Sequence, residues 1–213
     1  MAEPGAETPM GIGGGRHAYP RERPDRRRHR VRTFLIILIA LVAAVLVWLG
    51  LCWRFVVHPR VDQPQPVDAL YVIGPAEERM PLAIDLARSG LTATILTTVS
   101  VDPRTGERYP RDYCAGYPGL PDIIIECVDP DPYTTRGEAR LLNRVAAERG
   151  WDHVAVLTTT AHVARARMWM NRCVDGPTVE VWEFRQPHSV GQWLFSFAYQ
   201  SGAWLKSRFQ PGC

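Results

Sequence analysis

Thr33 to Trp53 reads TFLIILIALVAAVLVWLGLCW, twenty-one consecutive residues without a charge. As an α-helix rising about 1.5 Å per residue, such a run is roughly 30 Å long, the hydrocarbon thickness of a bilayer. Arg21, Arg23, Arg26, Arg27, Arg28, Arg30 and Arg32 stand directly before it, whereas only Arg54 and Arg60 follow closely. The positive-inside bias then predicts a single-pass plasma-membrane protein, its N-terminus cytoplasmic and its C-terminal domain extracytoplasmic. Trp48 and Trp53 lie toward the outer end, where indole rings favour the interface. A cleaved signal peptide is the main competing reading. It fits less well, because the run exceeds a usual signal core and no small-x-small site follows in RFVVHPRV. A lipoprotein anchor at Cys52 would want a small residue before it, and Leu51 is not small. A buried core helix is at odds with the one-sided arginine block.

Charge divides the chain at the same place. Residues 1–60 carry ten Arg against four acidic residues, and residues 61–213 carry fifteen Lys and Arg against eighteen acidic ones. The formal net charge of +3 therefore belongs to the N-terminal segment. No basic face for nucleic acid is evident on the remainder, so no nucleic-acid partner is expected. Residues 1–32 read as a disordered basic cytoplasmic tail, Gly- and Pro-rich at its start. Residues 33–53 are the transmembrane helix, 54–67 a stalk with Pro-spaced sequence (RVDQPQP), and 68–213 one folded domain.

Setting aside Cys52, four cysteines remain in the folded part: Cys114, Cys127, Cys173 and Cys213. None has the C-x-x-C or C-x-x-H spacing of a zinc site. Outside the membrane they are expected as disulfides. Cys114 and Cys127 flank one insertion, which favours Cys114–Cys127 with Cys173–Cys213, while the other two connectivities remain open.

From Asp68 onward short apolar runs alternate with amphipathic ones. Strands are predicted at Asp68–Gly74, Ala93–Val99, Asp122–Val128, His153–Thr159 and Thr178–Phe184, with helices at Glu77–Gly90, Arg136–Gly150, Ala161–Cys173 and Ser189–Arg208. In the first helix Pro81 suits the first turn and Gly90 the C-terminal cap. Asp102–Pro121 is a turn-rich insertion. Continuous apolar strands separated by helices predict an α/β three-layer sandwich with a mostly parallel sheet of about five strands, preceded by one transmembrane helix. Ligands in such sheets bind at the carboxyl ends of the strands. That selects Gly74–Arg79, Thr97–Ser100, Asp129–Glu138 and Thr158–Arg165.

Three motifs fall in or beside those segments: DALYVIG followed by Arg79, Ala83, Leu86 and Gly90; DPYTTRGEA; and VLTTTAHVARA. Together, over Asp68–Arg208, they resemble the YdcF/SanA/ElyC family of bacterial envelope proteins. DPYTTRGEA looks like the Thr-x-Glu-Asn-Ala signature in its actinobacterial form, and VLTTTAHVARA looks like the family's strand, Thr and His-x-x-Arg-Ala. The chain departs from that pattern at Gly74-Pro75, at Gly137-Glu138 before Ala139, and at Tyr199-Gln200, where an acidic residue would be sought. The resemblance implies a role in envelope barrier function (vancomycin exclusion among its forms) and in peptidoglycan or surface-polymer metabolism. A phosphorylated envelope precursor and other envelope proteins are its implied partners.

Residue chemistry points the same way. His162 and Arg165 open a helix directly after a strand, where N–H groups and the helix dipole favour an anion. Thr158, Thr159 and Thr160 add hydroxyls, Arg165 a fork suited to phosphate, and His162 a group able to move a proton near neutral pH. Thr135-x-x-Glu138 has capping-box spacing, and a ligand role is the competing reading. Arg79 sits near a helix start, where a cation conflicts with the dipole unless an anion is present. His162 and Glu138 are therefore the candidate catalytic residues, and Gly74, Arg79, Thr135, Thr159 and Arg165 the candidate ligand-binding residues. Asp129, Asp131 and Glu138 as a metal set are disfavoured, because DPDP reads equally as a rigid turn. There is no G-x-S-x-G elbow, Walker loop or G-x-G-x-x-G. No cofactor is identified; a nucleotide or S-adenosylmethionine pocket conflicts with a domain outside the cell. The expected function is binding or processing of an anionic cell-wall or lipid-carrier intermediate, with a non-catalytic scaffold or regulator as the alternative.

Overall fold

The computed structural model describes residues 26–101, 104–109, 111–114, 117 and 121–213. The chain divides into two units, one ending at Val45 and one running from Leu46 to Cys213. Helix α1 spans Arg26–Cys52 and so begins well ahead of Thr33, since arginine propagates a helix nearly as well as alanine. A π-helical turn, Trp53–Val57, continues it. The apolar window of this stretch has a mean hydropathy of 3.1, and none of it is buried. A core helix would be covered; this one has the length and composition to cross a membrane.

The remaining elements alternate as the apolar pattern requires. In chain order they are β1 (Ala69–Val72), α2 (Met80–Arg88), β2 (Thr94–Thr98), β3 (Ser100–Val101), β4 (Arg108–Tyr109), α3 (Arg111–Cys114), β5 (Ile124–Val128), α4 (Thr135–Arg149), β6 (His153–Thr159), α5 (Val163–Cys173), β7 (Thr178–Phe184) and α6 (Val190–Arg208). Single 3₁₀ turns, Glu77–Arg79 and Thr160–His162, lead into α2 and α5. Pro81 lies in the first turn of α2, and Gly90 follows that helix at φ +84°, a conformation that glycine adopts without steric cost.

Five strands form one parallel sheet in the order β5-β2-β1-β6-β7, while β3 and β4 make a separate antiparallel hairpin. Successive side chains of a strand face opposite sides, and β1 divides accordingly. Tyr71 and Ile73 join the core beneath α4 and α5, with Leu142, Val163, Trp169 and Met170. Leu70 and Val72 join the core beneath α2, with Met80, Ala83, Ile84 and Leu157. The expected α/β architecture, a five-stranded parallel sheet with helices on both faces and one apolar N-terminal helix, is the one observed.

Two local features differ from a plain reading of the pattern. The stalk is no free spacer: Asp62 N–H donates to Val181 O at 3.1 Å, Val181 N–H donates to Asp62 Oδ2 at 2.9 Å, and Arg167 pairs with Asp62 at 2.8 Å. It thereby satisfies both backbone groups of Val181 on the open edge of β7, which would otherwise be unpaired there. The insertion carries the β3–β4 hairpin and α3, tied back to the sheet by Arg108 on Asp129 and by a disulfide; residues 102–103, 110, 115–116 and 118–120 lie outside the described set.

The disulfides are Cys114–Cys127 and Cys173–Cys213, with Cys52 a buried free thiol. The second fastens the chain end to the last turn of α5 across 40 residues. Closing a loop of that length removes denatured-state entropy worth about 2–4 kcal/mol. Replacing Cys173 and Cys213 together by Ala is expected to lower the thermal midpoint of the detergent-solubilised chain accordingly. Alkylation in denaturant should find one thiol before reduction and five after it.

Candidate functional site

The sheet order sets the place of the site. From β1 the chain moves outward through β2 to β5, then returns to the other side of β1 for β6 and β7. The connections after β1 and β6 thus leave in opposite directions, opening a crevice at their carboxyl ends. A cleft of about 810 Å³ lies there. All seven candidate residues line it: Gly74 and Arg79 after β1, Thr135 and Glu138 at the start of α4, and Thr159, His162 and Arg165 after β6. Their wide separation in sequence is closed by topology alone. The cysteines lie outside that lining.

Glu138 is the inner pivot. Its Oε1 accepts from Gly74 N–H at 2.7 Å and from Thr98 Oγ1 at 3.0 Å, and Tyr71 OH lies 2.8 Å from Thr98 Oγ1. With Thr98 donating to the carboxylate, the tyrosine hydroxyl donates to Thr98, giving a relay from the core to the cleft. Both donors fall on Oε1, so a proton on this carboxyl belongs on Oε2. Glu138 is only 4 % exposed. Burial pushes its pKa up to about 7, against the lowering effects of the Gly74 and Thr98 hydrogen bonds and of Arg79 and Arg165.

The capping-box reading fails by one residue. Thr134, not Thr135, caps α4, its hydroxyl accepting from Gly137 N–H at 3.1 Å. Glu138 is then one position beyond the box and faces the sheet, and Thr135 is free to face His162. Two glycines permit the geometry. A Cβ at Gly137 would lie 1.9 Å from Pro132 O, where the chain folds back on the first turn of α4, and one at Gly74 would lie 2.4 Å from Tyr133 OH.

Two guanidiniums flank this carboxyl. Arg79 is almost fully buried and donates to Ile73 O. Arg165 donates through Nε to Gln200 Oε1 at 3.0 Å and through Nη1 to Thr135 Oγ1 at 3.4 Å, and it lies over the Tyr199 ring at 5.5 Å. Among the described residues neither arginine has a carboxylate within ion-pair distance. Burial lowers the pKa of both, and Glu138 opposes that in each case. Arginine nonetheless stays charged. Two cations therefore face one carboxyl that is only partly ionised at neutral pH, and Arg136 and Lys206 also line the cleft. The balance favours an anion.

His162 is not a free ring at a helix start. Thr158 Oγ1 lies 2.9 Å from Nδ1 and Thr135 Oγ1 3.2 Å from Nε2. Burial, then Arg165 and Arg79, push its pKa well below 6.5, so the ring is neutral. Thr159 lines the cleft but makes no side-chain cap, and Thr160 instead donates to Glu183 at 3.0 Å. Neither threonine caps the helix, and Arg165 is half-buried against Gln200 and Thr135 instead of standing in solvent. Asp129 is held by Arg108, and no group of three metal-ligating residues occurs among the described residues.

Tyr71, Thr98 and Tyr133 were not among the expected site residues. A tyrosine inside an otherwise aliphatic strand was the available signal, since a buried hydroxyl needs a partner. Tyr133 lies over Gly74 with its hydroxyl 2.5 Å from Ser100 Oγ. Gln200, an amide where an acidic residue had been sought, orients Arg165 without neutralising it. Comparison of the chain with protein-family models, curated proteins and solved structures gives no match.

The raised pKa of Glu138 has a definite sign for stability. Its folded value lies above the unfolded value of about 4.3, so its contribution to folding is intact below that pH and is lost as pH rises through about 7. Glu138→Gln keeps an acceptor for Gly74 and Thr98 but cannot ionise. The stability of this variant relative to the parent is expected to climb between about pH 4 and about pH 7 and then level off. Denaturant midpoints measured across that range check it; a constant difference would contradict it.

Proposed function

We propose that the chain is an envelope protein of the YdcF/SanA/ElyC kind, anchored by α1 with its arginine-rich end cytoplasmic, whose outer domain binds a phosphorylated cell-wall or lipid-carrier intermediate. One observation carries this reading: Arg79 and Arg165 converge on a strand-end cleft without an ion-pair partner among the described residues. A buried guanidinium (Arg79) and a half-buried one (Arg165) left uncompensated are costly, and an anion relieves that cost. A phosphate group suits them because each fork offers several donors. The two disulfides are consistent with a domain in an oxidising compartment.

Turnover, on this reading, belongs to Glu138 more than to His162. A carboxyl with a pKa of about 7 can give or take a proton at neutral pH. His162 holds Thr135 and Thr158 in place and becomes easier to protonate once a bound anion offsets Arg165 and Arg79. The non-catalytic alternative, a scaffold or regulator of envelope enzymes, draws on the same detail, because both His162 nitrogens already have hydroxyl partners. A protein built that way would bind the anion and leave it unchanged.

Calorimetric titration of the detergent-solubilised chain with inorganic phosphate and pyrophosphate separates these readings. Arg79→Gln and Arg165→Gln are each expected to weaken binding by about tenfold or more, the scale of one charge-assisted hydrogen bond. Undiminished binding in both variants would contradict the anion site. Pyrophosphate cleavage lost in Glu138→Gln supports catalysis; tight binding without cleavage of any phosphorylated envelope precursor supports the scaffold.

A further inference from the structure

Helix α6 has an outer face that none of the described residues covers. Leu194, Phe195, Leu205 and Phe209 are 57, 71, 62 and 77 % exposed, with Val190 extending the row. At 3.6 residues per turn these side chains share one side of the helix with Gly191, Ala198 and Gly202, all exposed, and no acidic residue occurs on α6. Lys206 and Arg208 border this face at its C-terminal end. A soluble domain rarely leaves so continuous an apolar strip in water.

The place of α6 identifies what covers it. Trp48 Nε1 donates to Ser201 Oγ at 2.9 Å, and the Trp48 ring meets Phe197 edge-on at 6.4 Å. Trp48 belongs to the apolar run, within two turns of its outer end. The middle of α6 therefore lies at the depth where that run leaves the hydrocarbon, a stretch of chain that also exposes Leu49, Leu51, Trp53 and Phe55. We propose that the outer face of α6 lies in the headgroup layer of the bilayer that α1 crosses, with Arg208 among the lipid phosphates and Lys206 where this face meets the cleft. Apolar residues flanked by cations are the composition of an interfacial helix. Because Tyr199, Gln200, Ala203 and Ser207 of the same helix form a wall of the cleft, the cleft then opens beside the membrane surface. The inference rests on α1 crossing the membrane and not on what the cleft binds.

Spin-label depth measurements on the full chain in phosphatidylcholine–phosphatidylglycerol vesicles test it. Single labels go on Phe195→Cys and Leu205→Cys in a Cys52→Ala background, where the native disulfides leave no other thiol. Val42→Cys supplies the acyl-chain reference and Ile124→Cys, at the exposed start of β5, the aqueous one. Relative to Ile124→Cys, the labels on α6 are expected to gain collisions with oxygen and to lose them with a water-soluble nickel chelate, shifting toward the Val42→Cys values. Labels that match Ile124→Cys overturn the proposal. So do labels shielded from both reagents, or a shift that scales with protein-to-lipid ratio, since either would put a second protein surface on α6.

Discussion

The hydrogen bonds that converge on Glu138 Oε1 are the joint on which the site depends. Through one oxygen, α4 is tied to the backbone after β1 and to the end of β2. Those two strands are neighbours in the sheet, and the crevice opens beside β1. Losing the carboxylate would leave Gly74 N–H and the Tyr71–Thr98 pair without their acceptor in a buried place, a larger cost than the bonds are worth when made. Tight backbone packing at Gly137 supports the same joint, because it lets α4 begin close enough for Glu138 to reach β1.

Around that joint the charges do not balance. Arg79 and Arg165 are held in place by neutral partners, a backbone carbonyl in one case and Gln200 and Thr135 in the other. Neutral acceptors orient a guanidinium and leave its charge uncancelled, an arrangement suited to a ligand that brings the missing negative charge. Burial first, and this field second, keep His162 neutral, so its proton affinity is coupled to occupancy of the cleft.

Much of the fold was legible because strand length and helix period are local signals. HVAVLTT and TVEVWEF are the strands β6 and β7 to the residue. The candidate residues were legible for a second reason: parallel α/β sheets gather strand-end loops, so a topology inferred from alternation already named the loops that meet. Other features lay beyond reach. Whether Thr134 or Thr135 caps α4 depends on a fold-back at Pro132 that no periodicity records. The Tyr71–Thr98–Glu138 relay joins two strands and a helix, and only the finished sheet brings its members together. The packing of the stalk on β7 is likewise tertiary, made by Asp62 and Arg167 across a long stretch of chain. Gln200, an apparent departure in the last helix, has its meaning only once Arg165 is seen against it.

The most direct measurement is the titration of the Glu138 carboxyl itself, followed by carbon NMR in the ¹³C-glutamate-labelled chain and assigned through Glu138→Gln. Titration near pH 7, moving higher when phosphate occupies the cleft and offsets the two arginines, is the expected result. A carboxyl that titrates near the ordinary value of about 4.3 and ignores phosphate would contradict a buried pivot between two unpaired cations.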